Sequence, residues 1–513
     1  MPELPAVEPR DEANRTLLEN VHPSGWINPQ PRGRFNLVVV GGGTAGLITS
    51  AIAAGLGAKV ALCERHLLGG DCLNVGCVPS KGVIRASRFV AEARRAEKEV
   101  GLALAAGAQP EFAAAMQRMR RIRARISHDD SALRYRDTLG VEVFLGEARF
   151  TGRDRVEIDG RELRFARAVI ATGARAAAPP IEGLAEAGYL TNETVFNLTA
   201  RPPRLGVIGA GPIGCELAQA FRRLGSEVVI VHADPHLLPR EDADAAAILE
   251  RRFAEEGIRV VHGATLRRVL RQGGAKLLRF ARAGGAEEEA LVDEILVGVG
   301  RAPNVEGLGL EAAGVAYDAR RGVHVDDFLR TSNARIFAAG DICMDWKFTH
   351  AADAAAKIAV QNALFTLGPF GRKKLSALVM PWCTYTDPEI AHVGLYARDA
   401  AAAGIEVDTL EVPLSEVNRA VLDGEEEGFV KVHVRKGTDR IVGATVVAAH
   451  AGEIISELTL AIVGGLGLGT LGNVIHPYPT QAEGIKRVAG VYTRSRLTPR
   501  IKRWFERYLA LRR

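Results

Sequence analysis

The sequence predicts an α/β protein with two Rossmann-like dinucleotide-binding domains and a C-terminal α+β domain. Three observations carry that prediction. A strand, a glycine-rich turn and a helix meet at Gly41–Gly46; the same pattern returns at Gly209–Gly214, 168 residues later; and the texture changes near residue 375. Two copies of one nucleotide-binding pattern in one chain say far more than one copy.

Length and composition agree. At roughly 150 residues per domain, 513 residues correspond to about three domains. A hydrophobic share of 47% with 25% charged residues is a globular mix and excludes a disordered chain. The formal net charge of +5, spread over this length, leaves no nucleic-acid footprint, so no nucleic-acid partner is expected. Six cysteines are too few for a secreted disulfide scaffold, which points to a reducing, cytoplasmic location. The start, MPELPAVEPRDEANRTLL, lacks a basic stretch followed by an apolar core, so no signal peptide is expected. No uninterrupted apolar run of about 18 residues suggests a transmembrane helix.

Residues 1–34 read as an extension, ordered only if it packs on the body. FNLVVV at 35–40 is a short apolar strand, LITSAIAAGLGA at 47–58 a small-residue helix and KVALCE at 59–64 a second strand. Between them Gly41-Gly42-Gly43-Thr44-Ala45-Gly46 fits G-x-G-x-x-G in the context that the motif requires. Gly41 permits the tight turn, Gly43 lets backbone approach a pyrophosphate, and Gly46 lets helix and strand pack closely. Thr44 and Ala45 open the helix whose N–H groups and dipole favour phosphate. Glu64, 18 residues after Gly46, is a carboxylate placed to accept from ribose hydroxyls. After it come GGDCLNVGCVPSK and an Arg/Ala/Glu-rich helical stretch at about 82–131.

LGVIGAGPIGCELAQAFRRLGSEVVIVH, from Leu205, repeats the unit with Gly209-Ala210-Gly211-Pro212-Ile213-Gly214. Here the second strand ends on His232, where an acid would mark NAD, followed by Ala233, where an Arg would mark NADP. NADH and NADPH therefore both stay open; a protonated His232 would tolerate a 2′-phosphate, and Asp234 is either a ribose ligand or a turn residue. From about 375, strands such as GFVKVHV and IVGATVV alternate with helices such as EIISELTLAIVG.

Cys72 and Cys77 stand five residues apart. At a distorted helix start, with Gly76 supplying the freedom, two such thiols come within disulfide reach; two isolated core cysteines are the other reading. No second cysteine pair completes a four-ligand zinc site, so no structural metal is expected.

GGDCLNVGCVPSK resembles the redox-active segment of the flavin-dependent pyridine nucleotide–disulfide oxidoreductases, which include glutathione reductase, dihydrolipoamide dehydrogenase and mercuric reductase. The resemblance runs from about Phe35 to about Ala489, through ATGA at 171–174, GRAPN at 300–304, AAGD at 338–341 and YTDPEIAHVGL at 385–395. It implies an FAD-binding domain in two parts (35–200 and 326–374), an NAD(P)-binding domain (201–325), a homodimerisation domain (375–490) and a basic C-terminal helix (491–513). It implies that Cys72 exchanges with substrate and that Cys77 lies against the flavin in charge-transfer contact. It makes Lys81 the lysine near the flavin and Glu216 its acidic partner. Asp341 would bind ribityl hydroxyls and His350 would flank the flavin edge, with Gly70, Ala171, Thr172 and Gly173 around it; Gly300 and Arg301 would close the nicotinamide side. Electrons would pass from NADPH or NADH through FAD and the Cys72–Cys77 pair to a small-molecule acceptor.

Disulfide reductases carry His-Pro-Thr-x-x-Glu near the C-terminus, the His serving as acid/base and the Glu orienting it. Here the segment reads His476-Pro477-Tyr478-Pro479-Thr480-Gln481-Ala482-Glu483. Aligning Pro479, Thr480 and Glu483 puts Tyr478 at the His position, with His476 two residues away. Tyr titrates near 10 against about 6.5 for His, so it is a poor base at neutral pH. YPTQAEGIK resembles mercuric reductase, in which tyrosine helps hold Hg(II), and Hg(II) would bind transiently at Cys72 and Cys77. The last cysteine is Cys383, so the C-terminal vicinal pair of mercuric reductases has no counterpart, and Hg(II) or a small disulfide both stay open as acceptor, with Tyr478 or His476 as acid/base. A quinone reductase or oxidase with incidental cysteines, and a dihydrolipoamide dehydrogenase-like component of a complex, are the alternatives. Cys63, Cys215, Cys343 and Cys383 read as buried small hydrophobes, with Cys383 just before a strand.

Leu497, Ile501, Trp504, Phe505, Tyr508 and Leu509 share one helical face, and Arg494, Arg496, Arg500, Lys502, Arg503, Arg507, Arg512 and Arg513 crowd the rest. Such a helix docks either on its own dimer or weakly on an anionic membrane.

Overall fold

The computed structural model describes residues 6–103, 109–282, 284–368 and 370–513. Packing divides the chain into two units, one running through Asp234 and resuming at Glu256–Leu378, the other made of Pro235–Glu255 and the chain from Val379. Residues 1–5 of the expected extension and 104–108 of the expected helical stretch lie outside the described residues.

In the first unit the rest of the extension is ordered by packing. Leu17 and Val21 of α1 (Glu12–Val21) are buried, and Asp11 caps α1 while accepting from Arg120 Nε at 2.6 Å. β1 (Arg34–Val40), α2 (Thr44–Gly55) and β2 (Val60–Glu64) form the first β-α-β unit. α3 (Gly70–Asn74), α4 (Cys77–Val100) and α5 (Phe112–Ile126) follow, then β3 (Glu142–Leu145), β4 (Ala148–Gly152), β5 (Arg155–Ile158) and β6 (Arg161–Ile170). The strands order β3-β2-β1-β6 in parallel; Ile336–Ala338 adds a parallel strand beside β6 and the β4–β5 hairpin extends the sheet. Leu37–Val40 of β1 are all buried, so both faces of the strand are covered there and this part reads as a continuous apolar run rather than an alternation.

β7 (Ala174–Ala176) and α6 (Leu184–Ala187) lead to the second β-α-β unit, β8 (Arg204–Ile208), α7 (Pro212–Arg223) and β9 (Glu227–Val231). Its parallel sheet runs Arg259–Val261, β9, β8, Glu294–Val297. A three-stranded antiparallel sheet (264–272, 275–282, 287–292) contributes Leu278, Phe280 and Val292 to the same core as Ile295 and Val297. The helix Thr349–Leu364 then packs on α2.

The second unit is a five-stranded antiparallel sheet ordered Pro381–Thr384, Glu389–Gly394, Ile441–Ala448, Phe429–Arg435, Val407–Pro413. Ala451–Val463 and Glu483–Ser495 bury Ile454, Leu458, Ile485 and Val488 against it. Cys383 lies within the first of these strands, not before it. The helix Ala243–Glu255, inside the span expected for the second nucleotide domain, packs with this unit, its Asp244 paired with Lys431. The C-terminal helix Pro499–Ala510 is capped by Thr498, and every residue from 493 to 513 is exposed.

Candidate active site

The first glycine turn is closed by backbone contacts that leave no room for a side chain. Gly41 has φ +108°, and a Cβ there would meet the Ala171 carbonyl oxygen at 2.3 Å; at Gly46 it would meet the Gly41 oxygen at 1.8 Å. Gly43 caps α2 with no side-chain bond, so the amides of the first turn point into the space that the turn encloses. Gly70 forms the facing wall, where a Cβ would lie 2.6 Å from Gly43 Cα. Glu64 Oε2 accepts from the Gly42 amide at 2.6 Å and Oε1 from the His66 amide at 2.7 Å. Burial raises the Glu64 pKa, and those two amides oppose the shift. A helix N-terminus for pyrophosphate, a close-approach glycine and a fixed carboxylate for ribose hydroxyls suit FAD.

At the other end of the cradle Arg301 gathers two acids. Its guanidinium pairs with Asp71, donates to the Ala174 carbonyl at 2.7 Å and has Nε 3.3 Å from Asp341. Burial raises the Asp341 pKa, and Arg301 opposes that. Gly300 precedes this arginine at φ +128°. The Thr172 hydroxyl donates to the Asn304 carbonyl at 2.9 Å, tying the ATGA turn to GRAPN rather than standing open, and Gly173 takes φ +66°. His350 is exposed in the first turn of its helix and stacks on Phe348 at 5.3 Å.

Cys72 ends up on α3 and Cys77 at the first position of α4, the break between them falling at Gly76, where a Cβ would lie 2.7 Å from the Asp71 oxygen. Both thiols are free. They hydrogen-bond to each other, and that bond splits their acidities. Cys77 is pushed down to about 6, first by Cys72, then by Thr349, whose Oγ1 is 3.4 Å from Cys77 Sγ, and by the Lys81 charge. Cys72 is pushed far up by the same bond and by burial. A thiolate at a helix N-terminus beside a cation is the reactive form of a cysteine. Lys81 lies one turn along α4 from Cys77 and donates from Nζ to Glu216 Oε2 at 2.9 Å; Glu216, 4% exposed, comes from α7. The sequence reading missed Thr349, although it neighbours His350, and Asp130, which burial pushes up to about 6 and whose charge further raises Cys72.

The second glycine turn repeats the first. Gly209 has φ +97° with a Cβ space of 2.6 Å to the Gly298 oxygen; at Gly214 that space is 2.3 Å to the Gly209 oxygen. Gly211 caps α7, Pro212 takes its first position, and Ile213 is partly exposed beside it. His232 is 4% exposed, with Nε2 3.0 Å from His262 Nδ1 and the rings edge-on. The Asp234 carbonyl accepts from the Gly263 amide at 3.0 Å, as a turn residue does.

In the second unit, His476 is half-buried, with its side chain 5% exposed, and its Nε2 lies 3.0 Å from Glu457 on the helix Ala451–Val463. Glu483, expected to orient the acid/base, instead pairs with Arg487 one turn on at 3.2 Å. No spacing signals Glu457, because a loop meeting a helix 19 residues earlier has no periodicity. The Tyr478 side chain is 70% exposed and its hydroxyl accepts from Asn418 Nδ2 at 3.0 Å. Cys63 and Cys215 are buried, as expected of small hydrophobes, whereas Cys343 and Cys383 are only partly so. Among the described residues no His/Cys/Asp/Glu cluster could hold a metal, and no helix is long and apolar enough to cross a membrane.

Comparison with known proteins agrees with this geometry. The family model "Pyridine nucleotide-disulphide oxidoreductase" matches residues 35–356, and that family's dimerisation-domain model matches 380–489. The chain is 35% identical to a mercuric reductase of Bacillus cereus over 90% of this chain and 72% of the other. It is equally 35% identical to a dihydrolipoyl dehydrogenase of Thermus scotoductus, over 89% and 96% of the two chains. Among solved structures, LpdA from Mycobacterium tuberculosis superposes with a TM-score of 0.79 at 29% identity, over 89% of this chain and 99% of that one. The "HOCl-induced flavoprotein disulfide reductase RclA" from Escherichia coli also gives 0.79, at 25% identity over 89% and 99%. Strand order, paired glycine turns and thiol pair thus meet in one conclusion: the chain belongs to the pyridine nucleotide–disulphide oxidoreductase family, an oxidoreductase family that uses FAD and NAD(P)H.

Proposed function

We propose that this NAD(P)H-dependent flavoprotein oxidoreductase delivers two electrons through Cys72 and Cys77 to thiol-bound Hg(II), as its mercuric reductase relatives' name describes. Bound FAD would supply the hydride acceptor that links NAD(P)H to the thiol pair. The residues of the chain prepare the other partners. Lys81, held by Glu216, puts a positive charge within one turn of Cys77. Thr349 and Cys72 hydrogen-bond to the Cys77 sulfur and keep it a thiolate near neutral pH, while Cys72 keeps its proton until a ligand displaces it. A thiolate beside a protonated thiol is a ready soft-metal ligand pair.

The observation that carries the choice of acceptor is Tyr478. A phenol there is a poor base for thiol–disulfide exchange but offers an oxygen to a metal. The second reading, a small disulfide as acceptor, draws on the His476–Glu457 pair, an imidazole held by a carboxylate at 3.0 Å. Steady-state oxidation of NADPH and NADH against Hg(II)–thiol complexes, lipoamide and glutathione disulfide separates them. Hg(II)-dependent turnover should dominate, and Tyr478→Phe should lower it about tenfold or more while Tyr478→His raises disulfide turnover. Faster turnover of either disulfide than of Hg(II) by the unmodified enzyme overturns the assignment.

A further inference from the structure

We infer that the C-terminal helix Pro499–Ala510 is a docking element for an anionic lipid surface. The helix buries nothing of its own: Ile501, Trp504, Phe505, Tyr508 and Leu509 are 40–61% exposed, and Leu497 just ahead of it is 50% exposed. At about 100° per residue those six side chains fill one uninterrupted arc of about 140°. Arg500, Lys502, Arg503 and Arg507 fill the opposite arc with Glu506. Trp504 stacks on Tyr508 at 5.7 Å and meets Phe505 edge-on at 5.1 Å, so the apolar face is largely an aromatic platform. Rings with an apolar body and a polar tip suit the boundary between headgroups and acyl chains.

The charge is segregated as sharply as the apolarity. Residues 491–513 hold eight of the 66 Lys+Arg and one of the 61 Asp+Glu, so this stretch carries +7 while the whole chain carries +5. The rest of the chain is therefore slightly acidic, at −2. A second copy offers this stretch little net opposite charge; an anionic leaflet offers it continuously. The stretch also lies beyond residue 489, where the dimerisation-domain match ends. Twelve residues rise about 18 Å, too short for a hydrocarbon core of about 30 Å. The helix therefore lies in the surface plane, aromatic face down, with its basic side chains reaching headgroup phosphates.

The test uses the full-length holoenzyme with phosphatidylcholine vesicles, with and without phosphatidylserine, in a flotation assay at low and high salt. Sizing of each protein runs in parallel. Co-flotation is expected with phosphatidylserine vesicles at low salt, falling at high salt, and weak with phosphatidylcholine alone. R503E/R507E should lower partitioning at least about tenfold, two reversed charges near the surface each removing an attractive contact. W504S/F505S should lower it with the charge intact. Both variants should keep the dimeric size and unmodified NAD(P)H oxidation, since neither pair touches the thiol or nucleotide sites. No co-flotation with either vesicle, equal co-flotation with both, or variants that lose the dimer while flotation is unchanged would each overturn the inference; the last result would make the helix a contact between copies.

Discussion

The two glycine turns have the same backbone and different endings. In each, a strand runs into a left-handed glycine, a second glycine caps a 12-residue helix, and a third packs beneath it, with no room for a Cβ at the first or third position. The strand beside the first turn ends on Glu64, whose two oxygens are pinned by the Gly42 and His66 amides. The strand beside the second runs to Val231, and His232 follows it, buried edge-on against His262. The difference teaches which part of a nucleotide each feature reads. Glycines govern how closely backbone approaches a pyrophosphate, a requirement common to both turns. Where such a turn binds a dinucleotide, the residue at the strand end faces the ribose, and there one turn offers a fixed carboxylate and the other an imidazole pair.

The sharpest break of that symmetry is a single methyl group at each turn. Gly41→Ala adds a Cβ 2.3 Å from the Ala171 oxygen at φ +108°, and Gly209→Ala one 2.6 Å from the Gly298 oxygen at φ +97°. A non-glycine residue in such a conformation costs about 2 kcal/mol before any clash, roughly 30-fold in binding. Gly41→Ala should purify with little flavin, measured by absorbance after denaturation. Gly209→Ala should keep its flavin and lose at least about 30-fold in kcat/KM for NAD(P)H. Equal flavin loss in both would mean that the turns do not divide the two cofactors.

The same division explains what was legible. A glycine at a positive φ, an apolar strand before it and an acid 18 residues on are all local, so the sequence showed both turns and Glu64 outright. The Lys81–Glu216 bond spans 135 positions and joins helices from the two nucleotide units. Nothing periodic announces it, and only the resemblance pointed there. Glu457 escaped because the motif names Glu483, whereas His476 turns to a different helix. The packing of Pro235–Glu255 with the C-terminal unit escaped for a related reason: the pair Lys431–Asp244 joins residues far apart in the chain, and sequence pattern carries no record of it.

Lys81 and Glu216 sharpen the comparison, since they link the thiol helix α4 to the helix of the second turn. In the reduced enzyme, the alkylation rate of Cys77 should follow a midpoint near pH 6, against about 9 for an ordinary thiol. Lys81→Met should raise that midpoint, because it removes a charge that favours the thiolate. The sign for stability follows. Cys77 has a depressed pKa in the folded state, so its contribution is fully present above pH 9 and is lost as pH falls through about 6. Cys72, shifted upward, stays protonated in the folded state, so it leaves the slope unchanged until pH approaches 9, where ionisation of the unfolded thiol begins to oppose the rise. Melting of the reduced protein should therefore rise with pH from 6 to 9, and less so in Lys81→Met. A flat profile in both proteins would mean that Cys77 is not held as a thiolate, and equal rises in both would remove Lys81 from the thiol's environment.

The smallest effect belongs to the second strand end. With neither a carboxylate for the ribose diol nor a guanidinium for a 2′-phosphate at 232 and 233, the unmodified enzyme should discriminate weakly between NADH and NADPH. His232→Glu restores the acceptor present at Glu64 and should move the kcat/KM ratio toward NADH by about tenfold, the scale of one charge-assisted hydrogen bond. His232→Arg should move it toward NADPH by a similar factor. The imidazole is buried and 3.0 Å from His262, so His262→Gln serves as the control for simple loosening: it should change KM for both nucleotides alike and leave their ratio where it was. If the ratio follows His262→Gln and ignores His232→Glu, the ribose is read by the second histidine of the pair, and the parallel between Glu64 and His232 fails at the one position where the two turns differ in chemistry.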